Sequence, residues 1–349
     1  MITPQALDPY EAIEQKTIQR CIPFKLDWEL TYRCNLRCIH CYQTRPADMQ
    51  EELAAEEAFS VIDQLAAMGC LYMTLTGGEV LLRRDFFAIA AHARSQGFAL
   101  RIFTNGTLID EECAGRIEKL DPLGVEISLY SCRADIHESI TGIRGSFEKT
   151  VRAFKLLKAL RVNAVVKATF MEQNQNELEG LRRFADELDC PFRFSFTVIP
   201  KLDGSDDLRK LRVSEECMAK LWEPHGWMVS GISEGGLPVF EPLCAAAFNS
   251  LYISPYGEVY PCVTLRKPCG TVRSSPIAQI WSSPFFKEVR SLALSDLTEC
   301  RGCPDALYCD RCSGLAFMEK GDMRAASPND CVLARMRKRS IQQFRRDHG

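Results

Sequence analysis

Between Leu26 and Val198 the chain alternates β-rich runs with stretches of helical periodicity, and no other feature restricts its fold as much. The β-rich runs are Leu26–Thr31, Leu71–Thr76, Phe98–Thr104, Gly124–Tyr130, Val162–Phe170 and Phe192–Val198. Between them apolar residues recur at helical spacing: Phe59, Ile62, Leu65 and Ala66; Val151, Phe154 and Leu157; Leu178, Leu181, Ala185 and Leu188. Right-handed crossovers wrap such βα units into an α/β fold, a closed or partly closed barrel with its helices outside.

A parallel strand buried on both faces reads as almost continuously apolar, yet several of these strands alternate. Val125, Ile127 and Leu129 share one face and Glu126, Ser128 and Tyr130 the other, a pattern repeated by Lys167 with Thr169 and Arg193 with Ser195. With the apolar faces against the helices, the polar faces line a wet lumen, and Glu126, Tyr130, Lys167 and Arg193 become candidates for handling a substrate. The plainer alternative is edge strands facing solvent, with Lys167 and Arg193 as paired structural charges.

At 349 residues the chain is long enough for two or three domains. We divide it into an N-terminal extension (1–25), the barrel (26–199), a connecting segment (200–240), a cysteine-rich region (241–331) and a basic C-terminal helix (332–349). Val213–Trp222 reads as a short helix within the connection. A net charge of -3 with both signs interspersed argues against a nucleic-acid partner. Met1–Arg20 lacks the pattern of an export signal, and no apolar run approaches the roughly 20 residues that span a bilayer. The expectation is a cytoplasmic protein with no membrane partner, in which 17 cysteines signify metal ligation rather than disulfides.

Three of those cysteines, Cys34, Cys38 and Cys41, follow the first strand within Thr31-Tyr-Arg-Cys34-Asn-Leu-Arg-Cys38-Ile-His-Cys41-Tyr42. One loop can wrap three such thiolates around a cluster face and leave a fourth iron open. Zinc is the alternative, with His40 nearby, but structural zinc normally takes four ligands in paired spacing; His40 reads as a spacer. The motif resembles that of the radical S-adenosylmethionine superfamily, and the resemblance spans roughly Leu26 to Val198. It implies a (β/α)6 partial TIM barrel, a [4Fe-4S] cluster on Cys34, Cys38 and Cys41, and chelation of the open iron by the amine and carboxylate of S-adenosylmethionine. Thr76-Gly77-Gly78-Glu79, after the second strand, is similar to the family's turn for the methionyl amine. Glycines there permit close backbone approach, and a carboxylate suits an ammonium group. The resemblance adds Tyr42, Asn105, Ser128 and Arg144 as cofactor-binding candidates; Arg144 enters because Thr141 occupies the position where many relatives carry arginine.

The C-terminal region holds Cys244, Cys262, Cys300, Cys303, Cys309, Cys312 and Cys331, an order that resembles the SPASM extension of these enzymes. That resemblance implies up to two auxiliary [4Fe-4S] clusters, a distal one on Cys300, Cys303, Cys309 and Cys331 and a proximal one on Cys244, Cys262 and Cys312. The proximal set lacks a fourth cysteine, which implies an open iron, with Cys269 as a fallback ligand. Cys21, Cys70, Cys113, Cys132, Cys190 and Cys217 show no ligand spacing and read as small core residues.

The implied activity is reductive cleavage of S-adenosylmethionine to a 5′-deoxyadenosyl radical that abstracts a substrate hydrogen. The substrate expected first is a ribosomally made peptide, modified by a crosslink, a thioether or side-chain oxidation. A small molecule such as a tetrapyrrole or an alcohol is the second reading, and a non-enzymatic electron-transfer or redox-sensing protein the third. A flavodoxin or ferredoxin is the implied reductant. With about 25 residues before the first strand, leader recognition is expected to fall to a separate protein or another surface.

Overall fold

The computed structural model describes residues 8–44, 51–205, 207–222 and 244–348. Residues 223–243, which span the end of the connecting segment and the start of the cysteine-rich region, lie outside the described residues.

The alternation seen in the sequence becomes six parallel strands: β1 (Lys25–Glu29), β2 (Tyr72–Thr76), β3 (Ala99–Thr104), β4 (Gly124–Ser128), β5 (Ala164–Thr169) and β6 (Phe192–Ser195). They lie side by side in chain order, joined by helices that include Ala55–Ala67, Phe86–Ser95, Glu111–Leu120, Ser146–Ala159 and Leu178–Glu187. Several strands stop short of the runs seen in the sequence because their last residues turn to other partners. The Tyr130 backbone N–H, for example, donates to His137 Nδ1 at 3.3 Å instead of extending β4.

The period-two pattern sorts the strand faces. Leu26 and Trp28, Met73 and Leu75, Leu100 and Ile102, and Val125 and Ile127 are buried under the helices. Each such side chain contributes about 1.5–3 kcal/mol of hydrophobic stabilisation. The covering residues include Phe154 and Leu157, then Leu178, Leu181 and Ala185, at the expected spacing. On Ala55–Ala67 the buried stripe is Ala58, Val61, Ile62 and Leu65, with Phe59 and Ala66 at its margin.

The cysteine-rich region is built onto the barrel sheet. Its strand β7 (Ser250–Ile253) pairs in parallel with β1 through Lys25↔Ser250 and Leu26↔Leu251. The antiparallel strands β8 (Glu258–Tyr260) and β9 (Gly270–Thr271) extend the sheet. Among the described residues the order is β6-β5-β4-β3-β2-β1-β7-β8-β9, which gives a partial barrel with β6 at one edge. The last helix begins earlier than the basic C-terminal helix expected over 332–349. It runs Pro328–His348, so Cys331 lies in its first turns, and it buries Ala334, Met336 and Ile341. Arg335 and Arg339 share Glu215 of the helix Glu215–Trp222, which forms within the stretch expected to be helical. No helix among the described residues is long and apolar enough to cross a membrane.

Candidate functional site

The site lies beyond the carboxyl ends of the strands, where loops from β1, β2, β3 and β4 meet. The loop after β1 carries Cys34, Cys38 and Cys41 and is docked on the end of helix Ala134–Thr141, with the Arg37 N–H on Thr141 O and the Ile39 N–H on Ile140 O, both at 2.9 Å. The sulfurs interact: Cys41 raises the pKa of Cys34, and Cys41 and Cys34 raise that of Cys38. Cys34 is raised chiefly by burial, and burial pushes Cys38 up to about 12. Thiols such as Cys34 and Cys38, held toward their protonated form, ionise when a cationic centre replaces their protons. Among the described residues no group of three or more His, Cys, Asp or Glu converges as a single metal ion would require. A soft, three-sulfur donor set on one loop fits an iron-sulfur cluster better than zinc.

His40 packs its ring edge-on to Tyr130 at 4.8 Å, and burial lowers its pKa to about 4, so it fills space as a neutral ring at pH 7. Tyr42 follows the last cysteine and donates its hydroxyl to Glu29 Oε1 at 2.7 Å.

The turn after β2 lies flat on the start of the cysteine loop. The Gly78 N–H donates to Thr31 O at 2.7 Å and the Glu79 N–H to Arg33 O at 2.8 Å. A Cβ on Gly77, whose φ is +153°, would stand 2.4 Å from Thr31 O, and one on Gly78 would stand 2.3 Å from Arg33 O. The glycines are therefore required by backbone-on-backbone contact within the protein. Glu79 is fully buried and accepts from Thr104 Oγ1 (2.7 Å), the Leu81 N–H (3.1 Å) and the Asn105 N–H (2.8 Å). Burial pushes its carboxyl upward against those three donors. Glu79 thus ties the turn to the end of β3.

Asn105 faces the cysteine loop: its Nδ2 donates to Asn35 Oδ1 at 2.9 Å and lies 3.9 Å from Cys34 Sγ. Ser128, half-buried at the end of β4, bonds the Tyr130 side chain. Arg144 is exposed and makes no ion pair among the described residues.

Below this rim the lumen is polar. Glu126 is 2% exposed and draws three cations: Lys167 at 3.0 Å, Arg193 at 3.4 Å and Arg101 at 3.5 Å. Lys167 also lies over the Phe103 ring at 3.3 Å, and burial lowers its pKa although Glu126 opposes the shift. Lys167 and Arg193 are therefore paired, as the plainer reading has it, but they are paired inside the barrel and outnumber their carboxylate.

In the C-terminal region the seven cysteines fall into two groups. Thr264 Oγ1 lies 3.3 Å from Cys262 Sγ and 3.8 Å from Cys312 Sγ, and Cys244 raises the pKa of Cys262 electrostatically. Cys309, pushed up to about 12 mainly by burial, feels Cys331 and Cys300, and Cys331 feels Cys303. Asp330 links the groups: it precedes Cys331 and accepts the Cys312 N–H at 2.7 Å. Cys269 joins neither group. It lies just before β9, its thiol donates to Lys267 O, and the charges acting on it are Lys267 and Arg290 rather than the sulfurs of either group. Of the cysteines assigned to the core, Cys70 and Cys190 are buried, and Cys113, Cys132 and Cys217 pack half-buried against it.

Sequence reasoning missed two residues. Glu29, fully buried at the end of β1, also accepts from Gln43 Nε2 at 2.8 Å and from Arg266 Nη2 at 3.1 Å. Alternation along Lys25–Glu29 would have placed Glu29 in the lumen; Arg266 carried no local signal.

Comparison with known proteins agrees with this arrangement. The radical SAM superfamily profile matches residues 28–185 and the SPASM iron-sulfur cluster-binding domain profile matches residues 244–304. The AdoMet-dependent heme synthase of Methanosarcina barkeri is 27% identical over 88% of this chain and 95% of its own length. Mycofactocin maturase MftC of Mycolicibacterium smegmatis is 28% identical over 84% of this chain and 77% of its own. Among solved structures, Streptococcus suis SuiB bound to its precursor peptide SuiA superposes with a TM-score of 0.70 at 16% identity, over 95% of this chain and 82% of SuiB. The AdoMet-bound anSMEcpe superposes at 0.68 with 18% identity, over 92% of this chain and 96% of its own. The chain is a radical S-adenosylmethionine enzyme with a C-terminal SPASM domain, and its cofactors are S-adenosylmethionine and [4Fe-4S] clusters.

Proposed function

We propose that this enzyme uses Cys34, Cys38 and Cys41 to hold the cluster that reductively cleaves S-adenosylmethionine, and that it modifies a ribosomally synthesised peptide. The observation that carries the reading is the seating of three crowded cysteines at the mouth of a barrel whose lumen is lined by Arg101, Lys167 and Arg193 around one buried carboxylate. The bound cofactors supply a 5′-deoxyadenosyl radical that abstracts a hydrogen atom. The protein's own residues do the rest. The Gly77–Glu79 turn and Asn105 hold the cysteine loop and offer polar atoms to the methionyl group, with Ser128 and Arg144 as further candidates. The lumen cations, three against the carboxylates of Glu126 and Asp27, receive a carboxylate-bearing substrate. Cys244, Cys262 and Cys312, and separately Cys300, Cys303, Cys309 and Cys331, would hold auxiliary clusters, which would supply a site for electron transfer. A flavodoxin or ferredoxin is the proposed reductant, and a separate protein the proposed reader of any leader segment.

MftC, by its name a maturase, and the likeness in fold to SuiB support the peptide reading. The heme synthase, alignable over nearly its whole length, supports a second one, a tetrapyrrole substrate whose side-chain carboxylates meet the same cations. The test is anaerobic turnover with dithionite and S-adenosylmethionine, offering short peptides encoded near the gene and, separately, iron coproporphyrin III. A mass change in a peptide, absent from a Cys34→Ala/Cys38→Ala/Cys41→Ala variant, is the expected result. Consumption of the porphyrin instead selects the second reading. Cleavage of S-adenosylmethionine that survives the triple variant overturns the assignment of those cysteines.

A further inference from the structure

The Glu29–Arg266 pair joins residues far apart in sequence, and it is buried, with Glu29 wholly inaccessible and the Arg266 side chain 11% exposed. Both ends of the Cys34–Cys41 loop converge on it. Ahead of the loop, the Tyr32 hydroxyl accepts from Arg266 Nη1 at 3.3 Å. Behind it, the Tyr42 hydroxyl and Gln43 Nε2 donate to Glu29 Oε1 at 2.7 and 2.8 Å. Arg266 belongs to the segment that follows Cys262. Its Nε donates to Val263 O at 2.8 Å, and the neighbouring Leu265 N–H donates to Cys262 Sγ at 3.3 Å. The guanidinium lies 4.4 Å from the centre of the Tyr252 ring and 5.2 Å from that of Tyr260, and Nη2 also donates to the Tyr252 hydroxyl at 2.7 Å.

A buried ion pair is a poor source of net stability, because apolar residues of the same volume often serve as well. What it provides is a unique geometry, since a guanidinium offers several donors in a fixed fork. Here the fork reaches Tyr32 ahead of the N-terminal cysteine loop and the backbone beside a C-terminal cysteine, and through Glu29 it is tied to Tyr42 and Gln43 behind the loop. We propose that Glu29 and Arg266 form a positioning pair that sets the spacing and orientation of the Cys262 segment against the Cys34–Cys41 loop, and so of the auxiliary centre against the radical-generating one. As a positioning pair it acts through Tyr32, Tyr42 and Val263.

Reciprocity is the signature of such a pair. In the full-length protein, hydrogen exchange followed by mass spectrometry is read before and after anaerobic cluster reconstitution for Arg266→Gln, Glu29→Gln and Arg266→Lys. Arg266→Gln is expected to speed exchange around Tyr42–Gln43 by about tenfold, and Glu29→Gln to do the same around Val263–Arg266. Arg266→Lys keeps a charge for Glu29 but not the fork, so it protects the Tyr42 side and not the Val263 side. In the reconstituted, reduced protein, the electron paramagnetic resonance coupling between the N-terminal and proximal clusters should broaden in Arg266→Gln. Exchange changes confined to each variant's own segment, or an unchanged coupling between clusters in Arg266→Gln, would overturn the proposal. If Arg266→Gln fails to fold, Glu29→Gln and Arg266→Lys carry the same reciprocity test.

Discussion

Asp27 lies on the lumen face of β1, exposed at its surface but with its carboxyl set against Thr74, and desolvation raises its pKa although Thr74, Lys167 and Arg101 all pull it down. A carboxyl whose folded value exceeds its unfolded one binds its proton more readily in the native state. The stability this confers is fully present below the unfolded value, about 3.9, and is lost as pH rises through the folded value. At neutral pH the native protein therefore carries an ionised carboxylate whose surroundings favour its protonated form. Asp27→Asn is predicted to be more stable than the parent at pH 7 and to lose that advantage as pH falls toward the carboxyl range. Anaerobic urea unfolding at a series of pH values checks this, and a pH-independent difference would mean that Asp27 is paired as well in the fold as in water. Among single residues, Glu79 also shows how a motif can be legible while its local use is not. The Gly-Gly-Glu pattern marked the turn, but only tertiary contact shows the carboxylate occupied by Thr104, Leu81 and Asn105.

The six strands and their helices were legible in the sequence because period-two and period-3.6 patterns are local and each segment carries its own. β7 was not, for a physical reason: four residues, Ser250–Ile253, are too few to show a period, and their partner β1 is at the other end of the chain. The same holds for Arg266, whose role exists only once β1 and β7 lie together. This pairing makes the barrel and the cysteine-rich region one structural unit at their junction. Leu26 and Leu251 are register partners, each 1% exposed. Leu26→Ala and Leu251→Ala are each predicted to destabilise the protein by about 2–5 kcal/mol and to shift the same unfolding transition. Anaerobic denaturant titration followed by circular dichroism tests it. A Leu251→Ala variant that moves only a separate, smaller transition would show that the C-terminal region unfolds on its own.

For the molecule as a whole, the open question is whether the C-terminal cysteines make one metal centre or two. Their grouping favours two, because Cys262 and Cys312 meet around Thr264 while Cys309 and Cys331 interact with Cys300 and Cys303. The two groups nevertheless touch through Asp330, which stands beside Cys331 and holds the Cys312 N–H. Independent four-iron centres predict a simple count. The reconstituted parent should hold about twelve irons, Cys331→Ala and Cys262→Ala about eight each, and the double variant about four. Mössbauer spectroscopy with a labile-sulfide assay reads these numbers directly. Cleavage of S-adenosylmethionine should persist in the double variant and vanish in Cys34→Ala/Cys38→Ala/Cys41→Ala, because the N-terminal loop shares no cysteine with either group. If Cys331→Ala alone reduces the count to about four, assembly of the proximal centre depends on the distal one, and Asp330 becomes the route through which that dependence passes.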